Sequence, residues 1–505
     1  IALSAADAIT VAGAALQAGQ DLSLTGKSLQ IAPGVDQDQH SETHRMNQRG
    51  ITGAVSSPIL AAADAVTSMA EVASNKNTDA RTRALAAGTA SLAAYNGYQS
   101  AKSVSDGQLI SGSLTFGASK SESREEGKSL ANAETSLTAG RDLILRASGG
   151  GKDSNIDIAG SRLQAGRNAT LQADNQIQLV SAQDSSSLRG ENDSSGWGAG
   201  IAVSFGKGGF SFGGTANANH SFGKENGSTI DQRDTTVSAG DTLTLKSGGD
   251  ATLKGAEARG QTIVANVGGN LDIESLQDQH QYQSSSKSMA GSVTIGYGFS
   301  ASANYSQQKM DNDYASVRQQ SGLKAGDGGY QVAVKGNTNL AGAVIASSDR
   351  AVADDKNSLS TGTLTTSDVY NHARSSGSSV GLAVSGSMGG GGKSGDGKGG
   401  DAGGAASGSS SSSGAAAAAG NSAPASQSSG GNYSGAHVQQ FGNGGSAGTS
   451  GVMASSQSAE SVTRAGISGG KLAIADDAGQ QALTGQSAAQ AAAAVNRGVN
   501  SDSDG

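Results

Sequence analysis

The residue types able to do chemistry are few in this sequence and poorly arranged for it. There are six histidines, His40, His44, His220, His280, His372 and His437, and no cysteine. His40 and His44 stand four apart, but no His-Glu-x-x-His pattern surrounds them and no third ligand converges, so a zinc site is not expected. Asp311-Asn312-Asp313 and Asp502-Ser503-Asp504-Gly505 begin like calcium loops, yet neither reaches a closing glutamate, and both are read as turn chemistry. The many serines form no distinct Ser, His and Asp set, and a thiolate nucleophile is excluded outright. Gly-x-Gly-x-x-Gly-like runs follow from glycine abundance, and none opens a helix after a strand. No catalytic, cofactor-binding or metal-ligating residue is expected, and the chain reads as a non-enzyme.

Composition says what must carry the fold instead. The 505 residues include 77 Gly and 3 Pro, only 3% are aromatic, and the formal net charge is -8. So few large apolar side chains cannot fill one compact core of this length, which points to repeated local pairing. Mild acidity with scattered Lys and Arg leaves no footprint for nucleic acid. Lack of Cys suits a chain that must stay unlinked while crossing an oxidising compartment. No run approaches the roughly 20 apolar residues of a membrane-spanning helix, and no signal peptide opens the chain. Because Ile1 falls in mid-pattern, the sequence is expected to be an internal stretch of a longer exported protein.

The repeat is a small residue, Gly, a polar residue and then alternating apolar positions. Copies include Ala18-Gly19-Gln20-Asp21-Leu22, Ala139-Gly140-Arg141-Asp142-Leu143, Ala165-Gly166-Arg167-Asn168-Ala169 and Ala239-Gly240-Asp241-Thr242-Leu243. From Gly240 to Gly260, and from Gly249 to Gly269, the spacing is that of one β-helix turn of about 20 residues. In such a coil Gly is expected to supply the positive-φ corner, Asp or Asn to cap the turn, and alternation to send Leu, Ile and Val inward. A longer unit of roughly 90 to 100 residues overlies the first. Each coil run ends in Gln-Asp, at Gln37-Asp38, Gln183-Asp184 and Gln277-Asp278, before a Ser-rich stretch leads into a Gly-rich alternating segment.

Those alternating segments carry the candidate functional residues. Val293, Ile295, Tyr297, Phe299 and Tyr305 share one strand face; Ile110, Leu114 and Phe116 share another; Trp197, Ile201, Val203 and Phe205 a third; Val380, Leu382, Val384 and Met388 a fourth. Small or polar residues stand opposite. Strands of about 9 to 11 residues with this alternation resemble transmembrane β-strands, so these positions are candidate membrane-facing residues. The other reading is that the hairpins fold their apolar faces onto the solenoid flank.

The expected fold is mainly β: right-handed parallel β-helix or solenoid coils interrupted by Gly-rich amphipathic β-hairpin excursions, with one Ala-rich helical hairpin and a disordered Gly/Ser linker. Coils are placed at 1–45, 137–186, 237–280 and 323–374, with the helical hairpin at 46–106. Excursions follow at 107–136, 187–236 and 281–322. A fourth excursion with the linker occupies 375–460, and a coil remnant with an Ala-rich helix, from Asp477 to Arg497, occupies 461–505.

Several segments resemble the large exoproteins of two-partner secretion of the filamentous-haemagglutinin type, and more narrowly the second haemagglutinin-repeat region of contact-dependent growth inhibition effectors. They are Met46-Asn47-Gln48-Arg49-Gly50-Ile51, the Ala-rich stretch after it, Leu114-Thr115-Phe116-Gly117-Ala118-Ser119-Lys120-Ser121-Glu122-Ser123, the Ala-Gly-Arg-Asp/Asn coils and Ala478-Gly479-Gln480-Gln481-Ala482-Leu483-Thr484-Gly485-Gln486. The resemblance covers nearly the whole chain. It implies export through an outer-membrane transporter, display at the cell surface and delivery of a C-terminal toxin at a target cell's outer membrane or surface receptor. It also implies an immunity protein that pairs with the parent's toxin rather than with this stretch. The residues after Thr463 read as the approach to such a toxin. A plain adhesin shaft binding host or neighbour-cell surfaces is the alternative function.

Overall fold

The computed structural model describes residues 1–56, 108–206, 209–296, 298–389 and 449–501. A complete solenoid coil is three short strands. Thr135–Ala139, Leu143–Ala147 and Ile156–Ala159 make one coil, and Ser161–Ala165, Ala169–Ala173 and Ile177–Val180 make the next. Alternation sends every second side chain inward, and in-register parallel pairing, shifted once between Gly260 and Thr262 at a corner, stacks like on like. On the first face Leu16, Leu137, Leu163, Val237, Ala258, Leu323, Ile345 and Ile467 form one column. Leu24, Leu145, Leu171, Leu245, Ala265, Val332 and Leu359 form the second. Ile31, Ile158, Leu179, Leu253, Ile273 and Leu340 form the third. Nearly all are fully buried, and each large side chain so buried contributes about 1.5–3 kcal/mol. The core is a one-dimensional stack, as the scarcity of aromatics requires.

The glycine of the Ala-Gly turn has a different role from the one expected. Gly140, Gly166 and Gly240 do not have positive φ. Each donates its N–H to the Ala carbonyl of the preceding coil, and a Cβ on Gly166 would lie 2.2 Å from the Gly140 oxygen. Glycine is needed there because successive turns stack in backbone contact. The following acid links coils rather than capping its own turn: Arg141 pairs with Asp21 at 2.8 Å, and Arg167 with Asp142. Positive φ occurs instead at Gly13, Gly160, Gly255 and Gly342, where the third strand of one coil turns into the first strand of the next.

At alternate coils that same corner opens into a long hairpin. The first hairpin joins Gly34–Ser56 to Gln108–Ala133, and the second joins Ala182–Gly206 to Gly209–Arg233. The third joins Gln277–Gly296 to Gly298–Val317, and the fourth Val369–Gly389 to Thr449–Thr463. Residues 34–56, read as the end of a coil and the start of a helical hairpin, therefore form a strand, because their alternation continues across the Met46–Ile51 segment. The rest of the Ala-rich segment, 57–107, and most of the Gly/Ser stretch, 390–448, lie outside the described residues. The large repeat now has a physical basis. Two coils advance the solenoid by about 10 Å, and one hairpin occupies two strand spacings, also about 10 Å. The four hairpins consequently pair side by side into one antiparallel eight-stranded sheet.

The C-terminal end is closed by helices rather than left as a bare ladder. The expected Ala-rich helix is two, Asp477–Thr484 and Ala488–Ala494, separated at Gly485, which has φ 75°. Buried Gln480 takes the place of a further strand: its Nε2 donates to the Leu364 carbonyl at 2.9 Å, and its Oε1 accepts the Leu364 N–H at 2.7 Å. The Leu364 backbone at the edge of the third face is thereby satisfied.

Candidate membrane-facing surface

Among the described residues the eight strands of the sheet pair only with one another, and none makes an extensive contact with a solenoid strand. Register decides which side chains share a face. Leu114, Ile201, Ile295 and Phe299 fall in one row across the strands, and Phe116, Ala199, Ala216, Val293 and Ala301 fall in the next. Trp197 aligns with Ala118, Ala218, Gly291, Ala303 and Val384 one row nearer the solenoid. Phe116 and Trp197 meet edge to face at 6.2 Å. The apolar face is open to solvent, with Leu114 52% exposed, Phe116 54%, Trp197 51% and Ile295 61%. It includes a shallow trough of 540 Å³ floored by Ala216, Ala218, Ala301 and Ala303. The reading in which the hairpins fold onto the solenoid flank is thus not the arrangement found.

Of the sequence candidates, Leu114, Phe116, Trp197, Ile201, Val293, Ile295 and Phe299 are brought together and exposed, while Val203 and Tyr305 are half-buried on the same face. Ile110 and Phe205 are register partners near the hairpin tips. Tyr297 lies outside the described residues. Sequence reading passed over Phe212, Met289 and Ile51, all exposed on this face. Phe212 sits opposite Val203 and Ile51 opposite Phe116, so extending the alternation to the partner strands would have found both. Val380, Leu382 and Val384 of the fourth hairpin complete the face.

The opposite face of the same strands is polar. Ser194 bonds Ser221 at 2.7 Å, Ser288 bonds Ser306 at 2.7 Å, Ser292 bonds Ser302 at 2.7 Å, and Thr294 donates to Thr215 at 3.3 Å. Gly200 shares this face, where a Cβ would lie 2.0 Å from the Leu114 carbonyl, so neighbouring strands approach too closely there for any side chain.

Toward the solenoid the apolar face becomes charged. Arg45 and Arg124 both bond Glu122 and hold its carboxyl well below the usual carboxylate range, at about 2. Lys224 pairs with Glu191 at 3.0 Å and lowers it too. At the roots, an acid or amide of each outgoing strand clasps the return strand of the hairpin before it. Asp184 accepts the Asn132 N–H at 2.7 Å, Asp278 the Gln232 N–H at 2.6 Å and Asn371 the Val317 N–H at 3.0 Å. This explains the Gln-Asp signature of the second and third hairpins. Nearby, burial pushes Asp234 up to about 6, with Asp278 adding to the rise and Arg318 opposing it.

His40 and His44 lie on an extended strand, where four residues span about 13 Å, too far apart to share an ion. Asp311-Asn312-Asp313 is not a turn: it runs through the middle of Gly298–Val317, held by Gln283, Ser375 and His372. Residues 502–505 and His437 lie outside the described residues. Among the described residues no group of three or more His, Cys, Asp or Glu is placed to hold a metal ion, and no helix is long and apolar enough to cross a membrane.

Residues 116–290 match the model of the hemagglutinin repeat family. The chain is 35% identical over 398 residues to Deoxyribonuclease CdiA of Dickeya dadantii (strain 3937), an alignment covering 77% of this chain and 12% of that protein. It carries a CdiA-like haemagglutinin-repeat region. It is also 37% identical over 412 residues to 16S rRNA endonuclease CdiA of Enterobacter cloacae subsp. cloacae, covering 77% of this chain and 12% of the relative. With Deoxyribonuclease CdiA of Yersinia pseudotuberculosis serotype O:3 it shares 33% identity over 383 residues, 74% of this chain and 35% of the relative. The CdiA-like region thus spans only a fraction of the relatives' length. No solved structure matches it.

Proposed function

We propose that this chain is the structural and translocation module of a secreted contact-dependent growth inhibition toxin, and that its hairpin sheet engages the target cell's outer membrane to help deliver a C-terminal toxin. One observation carries the reading. Four hairpins from alternate coils form a single sheet whose distal half is apolar and exposed on one face and Ser, Thr, Asn and Gly on the other. From Trp197 to Phe205 the apolar run is about 26 Å of strand, close to the ~25 Å apolar band of an outer-membrane barrel. Large side chains half-exposed in water each have roughly 1 kcal/mol to gain from lipid, so the face as a whole gains on the order of 10 kcal/mol. That is comparable with the cost of association, which makes insertion conditional rather than automatic. Lipid also demands that strand edges be satisfied, so Gly34–Ser56 and Thr449–Thr463, the two sheet edges, must pair on insertion.

The stretch acts without catalysis of its own in this proposal. Relatives whose names specify a deoxyribonuclease and a 16S rRNA endonuclease share it equally, which supports a nuclease lying elsewhere in such proteins. Export through an outer-membrane partner, display at the cell surface and an immunity protein for the parent's toxin belong to the same proposal. The test is Trp197 emission during addition of outer-membrane lipid vesicles, with protease protection on the same samples. A blue shift and protected bands of hairpin size are expected. No shift with unchanged proteolysis would refute membrane engagement and leave the adhesin shaft.

A further inference from the structure

The cations of the eight-stranded sheet are sorted by face, whereas its acids stand on both. In every strand of the sheet, each Lys or Arg stands on the apolar face, with the single exception of Arg233 at a hairpin root. Six of these cations, Arg45, Lys120, Arg124, Lys224, Lys287 and Lys309, fall in three neighbouring rows immediately below the apolar band. All six are exposed. Glu122, Glu191 and Asp193 stand in the same rows and offset part of the belt, but Lys287 and Lys309 have no ion pair among the described residues. On the opposite face, one register position nearer the solenoid than the lowest belt row, stand Glu42, Glu125 and Glu225, with no Lys or Arg among them.

Packing does not explain this sorting. Glu42 sits directly opposite Glu125 on neighbouring strands, a like-charge pairing that costs stability, with His44 beside Glu42 at 2.7 Å but the Lys and Arg of the belt on the other side. A chain of net charge -8 with one cationic belt has a surface built for an anionic partner. The belt's position at the end of an apolar band specifies which one. Lys and Arg there extend their apolar stems along the band and place their charges at the level of headgroups.

Resting on the membrane reading above, we propose that the belt from Arg45 to Lys309 binds the anionic headgroups of a lipid surface. It selects anionic membranes, lays the apolar face rather than the opposite face against lipid, and sets how deep the hairpins enter.

The test uses the full chain, Trp197 emission and two vesicle types: phosphatidylcholine alone, and the same lipid with a third replaced by phosphatidylglycerol. The first variant is Lys224→Gln with Lys287→Gln and Lys309→Gln. The control, Glu42→Gln with Glu125→Gln and Glu225→Gln, changes net charge by the same amount in the opposite sense on the opposite face. Circular dichroism checks that both keep the wild-type strand content. Partition onto anionic vesicles is expected to exceed that onto neutral ones, to fall about 100-fold in the lysine variant, and to weaken in molar salt. The control should shift it by only a few-fold. A blue shift equal on both vesicle types and unchanged in the lysine variant overturns the headgroup proposal while leaving membrane engagement standing. A control that strengthens binding as much as the lysine variant weakens it also overturns it, because net charge alone would then be at work. Absence of any shift on either vesicle removes both readings.

Discussion

Replacing Ile201 by arginine tests which face of the sheet meets lipid. Ile201 lies midway along the apolar run from Trp197 to Phe205 and is 48% exposed, so in water the arginine can extend into solvent and the fold should change by less than about 0.5 kcal/mol. In lipid the same side chain would sit near the middle of the hydrocarbon. There an outward-facing arginine on a barrel strand costs about 2–4 kcal/mol, which lowers the partition constant about 30-fold to 900-fold. Thr115→Arg is the matched control, a half-buried residue one register position from Ile201 on the polar face. It should alter partition by no more than a few-fold. The measurement is a vesicle titration followed by Trp197 emission, with thermal melts of both variants in buffer. Equal losses in the two variants, or no loss in Ile201→Arg, would refute the assignment of the apolar face to lipid.

Four further outcomes follow from the same geometry. Leu171→Ala, in the middle of a fully buried column between Leu145 and Leu245, should cost about 2–5 kcal/mol in chemical denaturation, and a cost under about 1 kcal/mol would contradict the stacked core. Deleting residues 240–259, one coil between the second and third hairpins, leaves one coil for two hairpins. Hydrogen exchange should then show lost protection between Gly209–Arg233 and Gln277–Gly296, while the coil columns stay protected. Asp234 is raised from 3.8 to about 6, so the folded state holds a proton that the unfolded state has released; its contribution is complete below about pH 4, fades as pH rises to about 6 and is absent above. Asp234→Asn should therefore raise the melting temperature relative to wild type above about pH 6, with the difference shrinking toward about pH 4. Glu122 has the opposite sign: held at about 2 by Arg45 and Arg124, it supports the sheet above about pH 4 and loses that support as pH falls toward 2, so Glu122→Gln should flatten the acid limb of the melting curve.

How much was legible varies with the range of the interaction. Alternation is local, so Leu143, Leu145 and Leu171 could be assigned inward, and Ile201 and Ile295 to an apolar face, from neighbouring residues alone. The turn glycines were legible as necessary but not for the right reason. Gly166 is required because Gly140 of another coil presses against it, a contact that no local rule of backbone conformation contains. The Gln-Asp pairs were visible as punctuation. Their use was not, because Asp184 and Asp278 each bond a backbone N–H of a preceding hairpin.

By itself, then, the sequence determined a β-coil repeat with amphipathic excursions, since composition and period-two alternation act within a few residues. Whether those excursions lay on the solenoid or left it was decided only by tertiary structure. The deciding factor is a match of lengths: two coil spacings equal two strand spacings, so successive hairpins pair with one another instead of with the coils. That pairing collects dispersed side chains into one apolar face and one basic belt. The sequence order of Arg45, Arg124, Lys224, Lys287 and Lys309 contains no hint that they stand side by side, because their adjacency comes from register between strands of different hairpins.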